Sequence, residues 1–198
     1  MKAIVLFAHP GKESFCHSIL HEVTNQFDQE GISYEVRDLY QEQFSPVFSA
    51  SDMNGIETDQ IPDEIKNEQV SIRNANLLVM IYPVWWWSQP AILKGYIDRV
   101  MTNQFAFRYE STGPIGLLTD KQAIVFTTTR ESAKEMEQSG FDTVMEKQVV
   151  DGILHFCGIK PVVYRNFAEI ANTSEEQRKE YLAQVHQAIR HFRTPVMM

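Results

Sequence analysis

The chain has few cysteines, no long apolar run and no excess of positive charge. Cys16 and Cys157 are its only cysteines, and neither stands in a CxxC or Cys/His spacing, so a disulfide framework and a cysteine-based metal site are excluded. The longest apolar runs, such as 76–87, fall well short of the roughly 20 residues that cross a bilayer. A net charge of −8 argues against general binding to nucleic acid or to anionic membranes.

Several well-known nucleotide and hydrolase motifs are also missing. The chain contains no GxGxxG, no Walker-type phosphate loop and no GxSxG. A dinucleotide fingerprint, an NTPase loop and the nucleophile turn of α/β-hydrolases are therefore excluded. The N-terminal apolar run has no small-residue cleavage site after it, so we interpret it as a strand and expect a cytoplasmic protein.

What is present is an alternation of short apolar runs with helical patterns along all 198 residues, which predicts one domain. Strands are predicted at 3–8, 32–39, 76–82, 123–128 and 160–166. Helices are predicted after Ser14, near 64–72, after Pro90, over 144–157 and from Thr173, where Glu176 would complete a capping box. Residues 40–63 show no regular pattern. We expect a three-layer, doubly wound α/β sandwich with a five-stranded parallel sheet in the order 2-1-3-4-5.

In that order, ligands bind at the carboxyl ends of the first, third and fourth strands. The loops there are 8–18, 82–90 and 126–140. The first contains His9 and Lys12, and it places Ser14 at a helix start, where backbone N–H groups favour a phosphate. The alternative is that Ser14 only caps the helix and His9 is a solvated loop residue.

The second loop holds all three tryptophans of the chain, Trp85, Trp86 and Trp87. Successive side chains diverge, so all three cannot point into the core. At least one should face a ligand, a partner subunit or solvent, and a flat aromatic wall suits a planar heteroaromatic ring. In the third loop, Thr127 and Thr128 could bond the polar edge of such a ring, although threonine is also common at strand ends.

Two motifs resemble a known family. One is His9-Pro10 followed after three residues by Ser14-Phe15, and the other is the run 83–100, PVWWWSQPAILKGYIDRV, with 105–109 and 113–118 continuing the match. The chain is similar to the NAD(P)H dehydrogenase (quinone) family of flavodoxin-like fold, which includes quinone reductase, the modulator of drug activity and the potassium-efflux ancillary reductases. The resemblance covers nearly the whole chain.

The resemblance implies a flavin, FMN or, as a close alternative, FAD, with NADPH or NADH as co-substrate. It implies a ping-pong reaction in which a hydride passes from NAD(P)H through flavin N5 to a quinone or similar acceptor. It also implies a homodimer. The residues implied in cofactor binding are His9, Ser14, Phe15, Cys16 and Ser18 at the phosphates, Pro83, Val84, Trp85, Trp86 and Trp87 along the ring, and Thr127 and Thr128 at its edge.

The sequence departs from the family pattern at Thr129 and Arg130, where two glycines usually stand, and at Cys16, where some relatives carry asparagine. Arg130 either compensates charge on the reduced flavin or a nicotinamide nucleotide phosphate, or is a surface residue. No proton donor is evident in 131–140. Two other functions stay open: a flavodoxin-like electron carrier, and a regulatory flavoprotein subunit of a membrane transporter.

Overall fold

A computed structural model describes residues 1–58 and 60–192. The strands are β1 (Lys2–Phe7), β2 (Ser33–Asp38), β3 (Leu77–Pro83), β4 (Phe107–Glu110), β5 (Gly113–Gly116), β6 (Gln122–Thr128) and β7 (Val162–Phe167). The helices are α1 (Phe15–Glu30), α2 (Ala50–Glu57), α3 (Asp63–Asn74), α4 (Ala91–Val100), α5 (Ala133–Ser139), α6 (Phe141–Val149) and α7 (Glu175–His191). A π-helical segment, Val150–His155, continues α6.

Five parallel strands form the central sheet in the order β2-β1-β3-β6-β7, and the predicted order is confirmed. Alternate side chains of β1 enter two different cores: Ile4 and Leu6 lie on one face of the sheet, Val5 and Phe7 on the other. Helices α3, α4 and the α6 segment cover the first face. Helices α1 and α7 cover the second, which completes the three layers.

Individual residues in the sequence set where the helices beside the sheet begin and end. Ser14 caps α1, and Gly31, with φ of +63°, ends it in the left-handed conformation that glycine adopts without steric cost. Pro90 precedes α4 as expected. The start of α7 was predicted one residue early: Ser174, not Thr173, is its cap and accepts a hydrogen bond from the Gln177 N–H.

The structure adds three elements that the sequence pattern did not predict. Helix α2 lies inside the segment expected to be irregular, α5 follows the third loop, and β4 and β5 form a separate antiparallel hairpin. Each of them buries little apolar surface of its own, and Met136 is the one buried residue of α5. Hydrophobic periodicity is therefore weak there. Within the described ranges, no helix is long and apolar enough to cross a membrane.

Candidate functional site

A cleft of about 740 Å³ opens at the carboxyl edge of β1, β3 and β6. Its lining residues are His9, Pro83, Val84, Trp85, Trp86, Trp87, Thr128, Thr129, Arg130, Glu131, Ile170 and Ala171. The three loops chosen from the strand order therefore meet in space. The sequence reasoning did not single out Glu131 within the third loop, and it missed the segment after β7. Residues after β7 reach the same edge because β7 runs parallel to β6.

A tight turn separates the three tryptophans. Trp85 and Ser88 exchange backbone hydrogen bonds of 3.0 and 3.1 Å, and the two residues between them have positive φ, +52° at Trp86 and +60° at Trp87. Two such non-glycine residues cost on the order of 1–3 kcal/mol each. As a result Trp86 is 97% exposed and Trp85 42% exposed, whereas Trp87 stacks on Phe141 with ring centroids 3.9 Å apart.

The start of α1 contributes His17 to a second, adjoining pocket, whereas Ser14, Phe15 and Cys16 line neither that pocket nor the cleft. Ser14 Oγ accepts a hydrogen bond from the His17 N–H at 3.3 Å. The side chains of Phe15 and Cys16 are buried, so only their backbone N–H groups, which have no partner within the helix, are available to a ligand. Burial raises the pKa of the Cys16 thiol to about 11, which keeps it protonated at neutral pH. Ser18 is exposed one turn further on, beside a different groove.

Basic side chains gather in the adjoining pocket of about 450 Å³, which contains His9, Lys12 and His17 together with Asp38. His9 borders both this pocket and the cleft. Its Nδ1 lies 3.0 Å from both the N and the O of Gly11, so the loop holds the ring in either tautomer. Burial lowers the pKa of His9. A helix start beside these groups suits an anionic group such as a phosphate.

The third loop divides its polar side chains between core and cleft. Thr127 is fully buried and does not line the cleft. Thr128 lines it, with Oγ1 3.5 Å from Cys16 Sγ. Thr129 and Arg130 line it as well, and Arg130 is exposed. The cleft therefore combines an aromatic turn, hydroxyl groups and the exposed cation of Arg130.

Residues 1–191 match the protein family described as having the flavodoxin-like fold. The chain belongs to this family. It is 33% identical over 192 residues, 95% of both chains, to an uncharacterized NAD(P)H oxidoreductase of Haemophilus influenzae. It is 31% identical to human ribosyldihydronicotinamide dehydrogenase [quinone], covering 92% of this chain and 87% of the human one. An NAD(P)H:quinone oxidoreductase from Methanothermobacter marburgensis superimposes with a TM-score of 0.88 at 28% identity, covering 98% of each chain.

The names of these relatives confirm the prediction of an oxidoreductase related to the quinone reductases. The residues at the sheet edge of this flavodoxin-like protein also fit a flavin chemically. A planar ring would meet the tryptophan turn on one side and hydroxyl groups at its edge, and its phosphate would lie beside the basic pocket. In the described part of the chain, no cluster of His, Cys, Asp or Glu could hold a metal ion.

Proposed function

We propose that this protein is a flavin-dependent NAD(P)H:quinone-type oxidoreductase. The observation that carries the proposal is the direct junction, at His9, between an aromatic cleft and a basic pocket at a helix start. That arrangement matches a ligand with a planar ring at one end and a phosphate at the other. The names of the relatives support the nicotinamide donor and the quinone acceptor.

The chain's own residues bind and orient in this proposal. His9, Ser14 and the N–H groups of Phe15 and Cys16 hold the phosphate, whereas Ser18, which lines a different groove, takes no part. Residues 83–87 line the ring, and Thr128 bonds its edge, while the buried Thr127 acts only through its neighbours. When bound, the flavin would supply hydride acceptance and donation at N5, with NAD(P)H and the acceptor using the cleft in turn.

We propose FMN as the flavin, with FAD as the close alternative. Chromatography of the flavin released from the purified protein distinguishes the two. A cytoplasmic location is part of the same proposal.

We also propose that the protein acts as a homodimer. A groove of about 490 Å³ lies between α4 and the π-helical segment, and most of its lining is apolar, including Phe48, Ile97 and Phe156. The fully exposed ring of Trp86 is a second apolar surface that a monomer leaves in water. A second copy of this chain covering these surfaces would remove both from solvent.

The decisive experiment is an absorption spectrum of protein incubated with FMN or FAD and desalted, then titrated anaerobically with NADPH and with NADH. Retained flavin bands that bleach on adding nucleotide are expected, and the more effective nucleotide is the preferred donor. Loss of all flavin on desalting would contradict the proposal. Retained flavin that neither nucleotide bleaches would instead support an electron carrier or a regulatory subunit of a transporter.

A further inference from the structure

A chain of polar side chains runs beneath the cleft from β7 to the third loop. Thr127 Oγ1 lies 2.8 Å from Asn166 Oδ1 and 3.1 Å from the Tyr164 hydroxyl. On the other side of the same amide, Asn166 Nδ2 donates to Thr129 Oγ1 at 3.0 Å. One asparagine thus connects a buried threonine of β6 to a threonine that lines the cleft.

The number of protons that these side chains carry fixes the direction of the hydrogen bonds between them. A carboxamide oxygen can only accept, so Thr127 donates its single hydroxyl proton to Asn166. Tyr164 must then donate to Thr127, and burial raises the pKa of Tyr164 to about 12, which keeps that proton in place at neutral pH. The sulfur of Met136 lies 3.9 Å from Asn166 Nδ2, and a sulfur that can only accept favours the amino group on that side.

The Thr129 hydroxyl lies at the end of this series of hydrogen bonds. Its backbone N–H donates to Phe167 O at 3.0 Å, and its carbonyl accepts from the Ile170 N–H at 3.1 Å. Its Oγ1 accepts from Asn166. Among residues 1–58 and 60–192, its hydroxyl proton has no acceptor, and Thr129, which is 4% exposed, lines the cleft. Hydrogen bonds aligned in one direction polarise each other, which strengthens this terminal donor.

We propose that Asn166 is a positioning residue that directs the Thr129 hydroxyl proton into the cleft, where it donates to an acceptor atom on the polar edge of the bound flavin ring. This inference rests on the proposed function and adds a donor at a position where the resembled family usually has glycine. The ring gains electron density on reduction, so a fixed donor binds the reduced form more strongly than the oxidised form. Asn166 and Thr129 therefore raise the flavin midpoint potential.

The test measures the midpoint potential of bound flavin and its dissociation constant in the oxidised form. Thr129→Val keeps the shape but removes the hydroxyl, and Thr129→Ser keeps the hydroxyl. Asn166→Leu removes the amide. We expect Thr129→Val and Asn166→Leu each to lower the affinity for reduced relative to oxidised flavin about tenfold, which is about 30 mV for a two-electron couple. The midpoint potential of the double variant should be no lower than that of either single variant. The potential of Thr129→Ser should stay near that of the wild type.

Three results would overturn the inference: a Thr129→Val potential equal to wild type, an equal loss in Thr129→Ser, or additive shifts in the double variant. If Asn166→Leu does not fold, Asn166→Ala replaces it, because alanine also removes the donor to Thr129 without adding a charge that would itself lower the potential. Wild-type protein that binds no flavin would reject the proposed function and this inference together. Wild-type protein that binds flavin, with variants whose midpoint potential equals that of the wild type, would reject this inference alone.

Discussion

Trp86 combines full exposure with a left-handed backbone, and it does so at the mouth of the cleft. A large apolar side chain held in water by a strained turn is stabilised only when something covers it. Trp87, its neighbour, already has a partner in Phe141. Trp85 and Trp86 can both contact a bound ring without disturbing the core, and Trp86 is the more exposed of the two.

Trp86→Ala is expected to weaken flavin binding. Base–aromatic stacking of roughly 1–3 kcal/mol sets the scale, so the dissociation constant should rise about tenfold or more. Quenching of flavin fluorescence during titration of the apoprotein measures it. The matched control is Trp86→Phe, which keeps a ring and should bind nearly as well as wild type. An unchanged constant in the alanine variant would show that Trp86 does not contact the flavin.

Arg130 is an exposed cation on the cleft wall, next to Thr129. Arg130→Ala is expected to lower turnover or the preference for NADPH over NADH. The reason is that Arg130 would compensate negative charge either on the reduced flavin or on the phosphate of the nicotinamide nucleotide. Steady-state kinetics with both nucleotides measure the effect. Lys134→Ala removes a nearby exposed cation that does not line the cleft and serves as the control. Equal kinetic parameters in Arg130→Ala and wild type would assign Arg130 to the surface alone.

At the scale of elements, α2 depends on a buried ion pair rather than on apolar packing. Arg99 of α4 donates to Asp52 Oδ1 at 2.9 Å, to Glu64 Oε1 at 2.6 Å and to the Ser45 carbonyl at 2.9 Å. Asp52 also completes the capping box of α2 with Ser49. Burial opposes ionisation of Asp52, but the hydrogen bonds from Arg99 and Ser49 outweigh it and lower the pKa of Asp52 to about 2.

Asp52→Asn should therefore reduce the free energy of unfolding by about 2 kcal/mol at neutral pH. This figure follows because folding lowers the pKa of Asp52 from about 3.8 to about 2. Because the folded-state pKa is lowered, this stabilisation is complete above pH 4 and disappears as the pH falls towards 2. Urea denaturation of both proteins at pH 7 and near pH 2.5 measures it. Glu110→Gln, which breaks an exposed pair with Arg108, should cost no more than about 0.5 kcal/mol. If Asp52→Asn and the wild type differed in free energy of unfolding by the same amount at both pH values, the stabilisation would not depend on the ionisation of Asp52.

At the scale of the whole molecule, exposed apolar surface marks the proposed dimer contact. Phe48 lines the groove beside α4, and it precedes the helix that Arg99 holds in place. Wild-type protein is expected to have twice the 22.9 kDa mass of one chain in light scattering.

Phe48→Glu should shift this equilibrium towards the monomer, because a carboxylate would be desolvated in the contact. Sedimentation velocity over a range of concentrations measures the shift. Val70→Glu places the same charge on an exposed apolar position of α3 that does not line the groove, and it should leave the mass unchanged. A wild-type monomer at micromolar concentration would contradict the homodimer.

The amino-acid sequence by itself determined the sheet and the place of the cleft. Runs such as Ala3–Ala8 and the apolar stripe after Pro90 are local patterns, and a parallel sheet with right-handed connections leaves few possible orders for five strands. The divergence of Trp85, Trp86 and Trp87 was also predictable, because neighbouring side chains cannot share one direction.

Only the tertiary structure decided which contacts join distant segments. Helix α2 is held by Asp52 and Arg99, which are 47 residues apart, and no local pattern predicts such a pair. The polar chain below the cleft exists because the β6–β7 register places Thr127 beside Asn166, 39 residues further on. A shift of one residue would turn Asn166 to the opposite face of the sheet. Strand register is a property of the packed sheet, so the contact between Thr129 and Asn166 became visible only there.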